Sequence, residues 1–186
     1  MRILRLAVAA VAGTASLAVG CSDGANVVSP TASLRLSQPP ASVNAATSAR
    51  RVETSGHYDA VVDFSTLTLT PRGQNCRLVV RGQLNFTGTI QGTATGETSA
   101  LVFGPCSEVA VTPPGTFEDV FKSEAVFVGT VDGQPVTANV LYMGGVQPGG
   151  AIEGRLIFSN GAAGRLDVFN SVVAVGGAYR GSLVIP

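Results

Sequence analysis

The clearest pattern in the chain is a strict alternation of apolar and polar residues from Cys76 to Gly92. Even positions carry apolar residues or glycine, and odd positions are polar except for Val79. A period of two over so long a run excludes a helix face and predicts one long strand, or two, with one buried face. We expect the even positions from Leu78 to Ile90 to be buried, with Leu84 and Phe86 deepest.

A second alternating run extends from Phe117 to Val131, and turn signals follow it. Asparagine or aspartate followed by glycine is the pair preferred in a tight type I′ turn, and paired glycines also favour such turns. Three such pairs separate apolar runs in the C-terminal part of the chain: Asp132-Gly133, Asn160-Gly161 and Gly176-Gly177. They predict neighbouring antiparallel strands, with the first pair joining Phe117–Val131 to a returning strand at Gln134–Met143.

These patterns predict an all-β protein with a single antiparallel up-and-down β-barrel of about eight to ten strands. Residues 57–64 alternate as well, and the parity changes after them, which predicts a bend or bulge at Ser65-Thr66. A closed barrel leaves no strand edge exposed, and nearest-neighbour hairpins favour a meander. A two-sheet β-sandwich is the alternative.

The N-terminal segment, residues 1–20, has the pattern of a secretory signal peptide. Arg2 and Arg5 precede an apolar stretch that ends in small residues. The alternative is a transmembrane helix, but the apolar stretch is shorter than the roughly 20 residues that a span needs. We expect the segment to be removed on export.

The segment Leu17-Ala18-Val19-Gly20-Cys21 resembles the lipobox of bacterial lipoproteins, in which the cysteine becomes the lipidated first residue. The resemblance implies an acyl (palmitate-type) anchor on Cys21 in the cell envelope. Ser22 is similar to the residue found in lipoproteins sent to the outer membrane, which implies its periplasmic side. Residues 21–53 are rich in Pro, Ser, Ala and Thr and predict a flexible tether. The barrel domain is then 54–186.

Two cysteines, Cys76 and Cys106, remain if Cys21 carries lipid. Export places them in an oxidising compartment, where we expect them to form a disulfide. Two independent buried thiols are the alternative. Two cysteines and the single histidine do not make a zinc spacing, so we expect no metal. We expect no cofactor either, because the chain has no phosphate-binding or hydrolase motif.

Charge and polar residues narrow the possible functions. The 12 basic residues balance 12 acidic ones and are scattered, which argues against a nucleic-acid partner. No catalytic residue can be named from motifs. Asp119, Ser123 and Asn170 interrupt apolar faces and are the candidates for polar groups in a barrel cavity. The alternative is that Asp119 and Asn170 lie in water at strand ends.

Residues 80–185 resemble the allene oxide cyclase-like barrels, most closely their bacterial relatives. The motif Phe127-Val128-Gly129-Thr130-Val131-Asp132-Gly133, the later Gly154, Gly164 and Leu166, and the glycine-spaced run from Gly82 to Gly92 carry the resemblance. It implies an eight-stranded barrel with an apolar cavity. It carries over no catalytic residue, because no catalytic motif matches.

Together these observations predict an envelope-anchored lipoprotein whose small β-barrel binds an apolar small molecule or an envelope partner. The membrane is then a partner through the lipid anchor, while the sequence leaves the oligomeric state open. Two alternatives stay open: a cyclase- or isomerase-type enzyme that uses a barrel cavity, and a purely structural lipoprotein without a cavity. A cavity that contains a carboxylate would favour the enzyme.

Overall fold

Eight antiparallel strands form a closed barrel in the computed structural model, which describes residues 48–186. Each strand pairs with the next along the chain, and the last pairs with the first. The elements are β1 (Arg50–Arg72), β2 (Asn75–Gly88), β3 (Ile90–Val102), α1 (Cys106–Val109), β4 (Asp119–Val131), β5 (Gln134–Val146), β6 (Ala151–Ser159), β7 (Ala163–Val172) and β8 (Gly176–Ile185). The predicted up-and-down barrel is confirmed, and the sandwich alternative is not.

The barrel begins at Arg50 rather than at residue 54, because Val52 and Thr54 already face the core and pair with β8. The predicted signal peptide, the lipobox with Cys21 and most of the predicted tether lie outside the described residues. Within residues 48–186, no helix is long and apolar enough to cross a bilayer.

The two ends of the barrel differ in their connections. At one end, which we call the closed end, short turns join β2 to β3, β4 to β5 and β6 to β7. At the other, which we call the open end, lie the β1–β2, β3–β4, β5–β6 and β7–β8 connections. The longest of these is residues 103–118, which contain α1.

The first two predicted turns are confirmed. Asp132 (φ 50°) and Gly133 (φ 76°) have the two positive φ values that a type I′ turn requires. Asn160 (φ 56°) and Gly161 likewise join β6 to β7. Asparagine, aspartate and glycine adopt this left-handed conformation at low cost, and this is the physical reason why these residue pairs predict the turns.

The predicted turn at Gly176-Gly177 is wrong. The chain turns at residues 173–175, where Ala174 has φ 58°, and Gly176 already belongs to β8. A register irregularity between Phe169 and Val172 in the β7–β8 pairing shifts the turn towards the N-terminus. The predicted bulge in β1 is confirmed, since its register with β2 shifts between Asp63 and Thr68.

An aromatic cluster fills the closed half of the barrel. The ring of Phe86 lies 5.7–6.3 Å from the rings of Tyr58, Phe127, Phe158 and Tyr179. Large aliphatic side chains close the space around these rings, and they are fully buried: Ile90, Val131, Leu156, Leu166, Leu183 and Ile185. Such dense packing of inward side chains makes this half a solid core.

Candidate functional site

The open half of the barrel contains a cavity of about 560 Å³. Its wall is mostly apolar and comes from strands β1 to β6, the end of β7, the β7–β8 turn and the β3–β4 connection. This size falls within the range of about 300–1,000 Å³ that is usual for small-molecule sites. The barrel is thus solid at one end and hollow at the other.

Small residues on the inward face produce the cavity. At mid-height, Gly82 of β2 pairs with Gly96 of β3, and Gly96 pairs with Ala125 of β4. A methyl group on Gly96 would collide with the Glu124 carbonyl oxygen and with Ala125, so the strands approach too closely there for a side chain. Because no large side chain projects inward from these positions, the interior of the barrel beside them stays empty.

Residues 103–118, which we call the cover segment, form the roof of the cavity. Val109, Pro113, Pro114 and Phe117 contribute to its lining. A disulfide between Cys76 and Cys106, with Cα atoms 4.8 Å apart, ties this segment to the start of β2. The predicted disulfide is therefore confirmed, and it holds the roof against the wall.

The cover segment is also attached on the far side of the mouth. The Gly149 N–H donates a hydrogen bond of 2.9 Å to the Gly115 carbonyl, which joins the segment to the β5–β6 turn. The Val173 N–H donates to the Gly150 carbonyl at 2.9 Å and brings in the β7–β8 turn. Three connections at the open end are thus linked to one another.

One side of the mouth lacks a complete wall. The pairing of β1 with β8 ends at Asp59 opposite Gly176, whereas β1 continues to Arg72. Beyond that point Phe64, which is 54% exposed, and Leu67 border the cavity. The Ala60 N–H still donates a hydrogen bond of 2.9 Å to the Val175 carbonyl, and the part of β1 that follows has no ladder with β8.

A cluster of three hydroxyl groups lies where the cavity meets the solid core. Tyr58 Oη is 2.8 Å from Tyr142 Oη and 2.6 Å from Ser171 Oγ, and Tyr142 Oη is 3.4 Å from Ser171 Oγ. Burial raises the pKa of both tyrosines, so they stay neutral at physiological pH. Both tyrosine rings line the cavity and can present a hydroxyl to a ligand.

Asp119 lies at the start of β4, in the cavity wall. Its Oδ1 atom is buried and has no hydrogen-bond partner among the described residues. Desolvation by burial raises the pKa of this carboxyl to about 6. A buried carboxyl oxygen without a hydrogen bond is costly, and its place in the cavity wall makes Asp119 a candidate contact for a ligand.

The other two predicted cavity residues differ in their placement. Ser123 lines the cavity, and its Oγ is 2.6 Å from Thr98 Oγ1. Asn170 is exposed and does not line the cavity, because its positive φ of 49° lies within the β7 irregularity and reverses the parity. Ser171 is the residue that faces inward instead.

Leu84 also departs from expectation. Val80 and Phe86 of β2 and Ile90 of β3 are buried as predicted, whereas Leu78 and Gly82 are partly buried and Gly88 is exposed. Leu84 itself is only partly buried because it packs against the core on one side and borders the cavity on the other. On the same inward face, the core is therefore full at Phe86, and the cavity begins two residues closer to the open end, at Leu84.

The hydroxyl cluster and the cover segment were not found from the sequence. Tyr58 and Tyr142 fall on inward faces of alternating strands, and a buried tyrosine usually needs a partner for its hydroxyl. That signal could have indicated a polar group inside the barrel. Ser171 gave no such signal, because the β7 irregularity determines its direction.

The fold and the site define a class: an eight-stranded antiparallel barrel with an internal, mainly apolar cavity that contains one carboxyl and several hydroxyl groups. Comparisons with protein-family models, with curated proteins and with solved structures found no match. The resemblance of residues 80–185 to the allene oxide cyclase-like barrels and the lipobox at Cys21 stay predictions.

Proposed function

We propose that this protein is a binding protein that holds a small, mainly apolar molecule in the open half of its barrel. The observation that carries the proposal is the cavity of about 560 Å³ with its apolar wall and few polar groups. Burial of apolar surface would supply most of the affinity, and the hydroxyl and carboxyl groups would orient the ligand.

A matched set of variants tests this proposal. A neutral naphthyl fluorophore would be titrated into the full chain carrying Cys21→Ala, which lacks the cysteine predicted to carry the acyl chain. Ala125→Leu adds a side chain to the cavity wall, whereas Val128→Leu on the same strand enlarges a residue that is 61% exposed. We expect saturable binding that weakens at least about tenfold in Ala125→Leu and is unchanged in Val128→Leu.

Absence of saturable binding would overturn the proposal, as would equal binding by both variants. Thermal unfolding of each variant shows whether Ala125→Leu still folds. If it does not, Ala100→Leu fills the same cavity from β3 and takes its place.

The proposal includes an anchor in the cell envelope, which rests on the sequence. The basic start, the apolar stretch and the small residues before Cys21 support export and lipidation at that cysteine, and Ser22 supports the periplasmic side of the outer membrane. Detergent partitioning of the wild type and Cys21→Ala, with mass analysis of the N-terminus, tests this part. An unmodified wild type in the aqueous phase would contradict it.

A second candidate function is proton transfer on a bound substrate, with Asp119 as the acid or base. It is favoured by the raised pKa of about 6, which lies close to physiological pH, where a carboxyl can both accept and release a proton. Deuterium exchange into an enolisable apolar ketone would test it. Exchange should be faster with the wild type than with Asp119→Asn, and equal rates would exclude this role.

A further inference from the structure

Asp119 is the feature of the cavity that a purely apolar ligand would leave unexplained. Its nearest strand neighbours in the pairing are Val102 of β3 and Val146 of β5, and neither side chain can donate a hydrogen bond. The buried Oδ1 atom has no partner among residues 48–186. An apolar molecule in the cavity would exclude water from this carboxyl without replacing the lost hydrogen bonds, which would oppose binding.

Within residues 48–186, the charged and titratable groups of the wall supply no counterion. Besides Asp119, those that line the cavity in this part of the chain are Arg81, Tyr58 and Tyr142. Arg81 is exposed and lies 3.7 Å from the exposed carboxylate of Glu97, so its charge is already balanced. Tyr58 and Tyr142 stay neutral and bond to each other and to Ser171. The carboxylate of Asp119 is therefore a negative charge without a positive partner in the wall.

We infer that the ligand of this cavity is an apolar molecule with a protonated amine, and that the amine binds the Asp119 carboxylate. This inference rests on the proposed function and specifies the class of ligand. A hydroxyl group can donate one hydrogen bond to the carboxylate, whereas an ammonium group has three donors and adds the attraction of opposite charges, so the amine gains more here. A carboxylic acid meets a like charge and is disfavoured.

The size of the cavity fits such a molecule. A volume of 560 Å³ is about what twenty water molecules occupy in the liquid. A linear amine with ten carbon atoms fits within this volume. Its chain would lie along the apolar wall while its head group lies beside Asp119.

Three probes with the same chain and different head groups test the inference. 1-Aminodecane, 1-decanol and decanoic acid would each compete with the neutral naphthyl fluorophore at pH 8 for the full Cys21→Ala chain. We expect the amine to displace the fluorophore at a concentration at least about tenfold lower than the alcohol, with the acid weakest. Asp119→Asn should lose the preference for the amine, because an ammonium group without a carboxylate partner is costly to bury.

Glu118→Gln is the matched control, because it removes an exposed carboxylate one residue away. It should leave the preference for the amine unchanged. When the pH falls from 8 to 5, the advantage of the amine in the wild type should shrink as Asp119 takes up a proton, and no such change should occur in Asp119→Asn.

The outcomes separate the two proposals. If the fluorophore binds and the amine and alcohol compete equally, the cavity still binds apolar molecules but the inference about the amine is wrong. An amine preference that persists in Asp119→Asn also overturns the inference. If the fluorophore does not bind to any form, the proposed function fails, and the inference fails with it.

Discussion

The closed and open halves of this barrel are built from the same strands but differ in the size of the side chains that point inward. In the closed half, Phe86, Phe127 and Phe158 meet around one centre and leave no space. In the open half, Gly82 and Gly96 occupy the equivalent inward positions and leave a cavity. The comparison shows that one half can stabilise the fold, which leaves the other free to be hollow.

One polar side chain in each half illustrates a further difference. The closed half uses its Tyr179 hydroxyl for structure, since Tyr179 Oη accepts a bond from the Ile90 N–H and donates to the Thr87 carbonyl, both at 3.0 Å. In the open half, Asp119 has a buried oxygen without a partner. Thr54 Oγ1, which is buried in the closed half, also has no partner among the described residues, so Asp119 differs from it in being a carboxyl that borders the cavity.

The largest effect should come from the centre of the closed half. Phe86→Ala removes the ring on which the aromatic cluster converges, and we expect the free energy of unfolding to fall by about 3–5 kcal/mol. Leu84→Ala, two residues along the same face but bordering the cavity, should cost about 1–2 kcal/mol. Urea unfolding of both variants measures the difference, and equal losses would mean that the two halves are packed alike.

Loss of the disulfide should have the next largest effect. The bond closes a loop across a sequence separation of 30 residues, and the chain-entropy model gives it about 3–4 kcal/mol. In the double variant Cys76→Ser, Cys106→Ser, the free energy of unfolding measured with urea should fall by that amount. Because the bond attaches the roof of the cavity, the variant should also release a bound fluorophore faster. A release rate equal to that of the wild type would show that the cover segment does not control access.

Asp119 should give a smaller effect that depends on pH. Its pKa is raised from 3.8 to about 6 in the folded protein, so the folded state holds the proton more tightly than the unfolded state. The resulting destabilisation is fully present above about pH 6 and disappears as the pH falls towards 4. Asp119→Asn should therefore gain stability relative to the wild type at pH 7.5, by about 1 kcal/mol once partial solvent exposure is allowed for, and lose that gain at pH 4.

Denaturant unfolding at several pH values checks this prediction. Glu118→Gln is the control and should show no such gain. A constant difference between Asp119→Asn and the wild type from pH 4 to 8 would mean that burial does not perturb the carboxyl.

The smallest effect should be found on the outer face. Thr87 is exposed, next to the buried Phe86 on β2. Thr87→Ala should change the free energy of unfolding by less than about 0.5 kcal/mol. A cost comparable with that of Phe86→Ala would contradict the assignment of inward and outward faces.

Much of the barrel could be predicted because strand parity and turn chemistry are local properties. The alternation around Phe86 determines which face is buried, and the left-handed conformation of Asp132-Gly133 determines a hairpin. The hollow could not be predicted in the same way. Whether the inward face at Leu84 meets only packed side chains or also a cavity depends on residues from other strands, such as Gly96 and Ala125, and on the closure of the barrel.

The candidate site shows the same limit at the level of single residues. Asp119 and Ser123 were found because a polar residue on an apolar face is visible in the sequence. Asn170 was misplaced because the irregularity in β7 reverses the parity, and it is Ser171 that bonds to Tyr58. The bulge in β1 is visible as a change of parity because alternating residues continue after it, whereas β7 ends at Val172, too soon after its irregularity for such a change to show.

The most direct test of the difference between the halves is a titration of the full Cys21→Ala chain with 1-aminodecane, followed residue by residue by nuclear magnetic resonance. We expect saturable shifts for Ala100, Ser123 and Tyr142, which lie around the cavity, and none for Ile90 and Leu183 in the closed half. Shifts spread evenly over both halves, or confined to the outer face of the barrel, would contradict the claim that the open half is a ligand site.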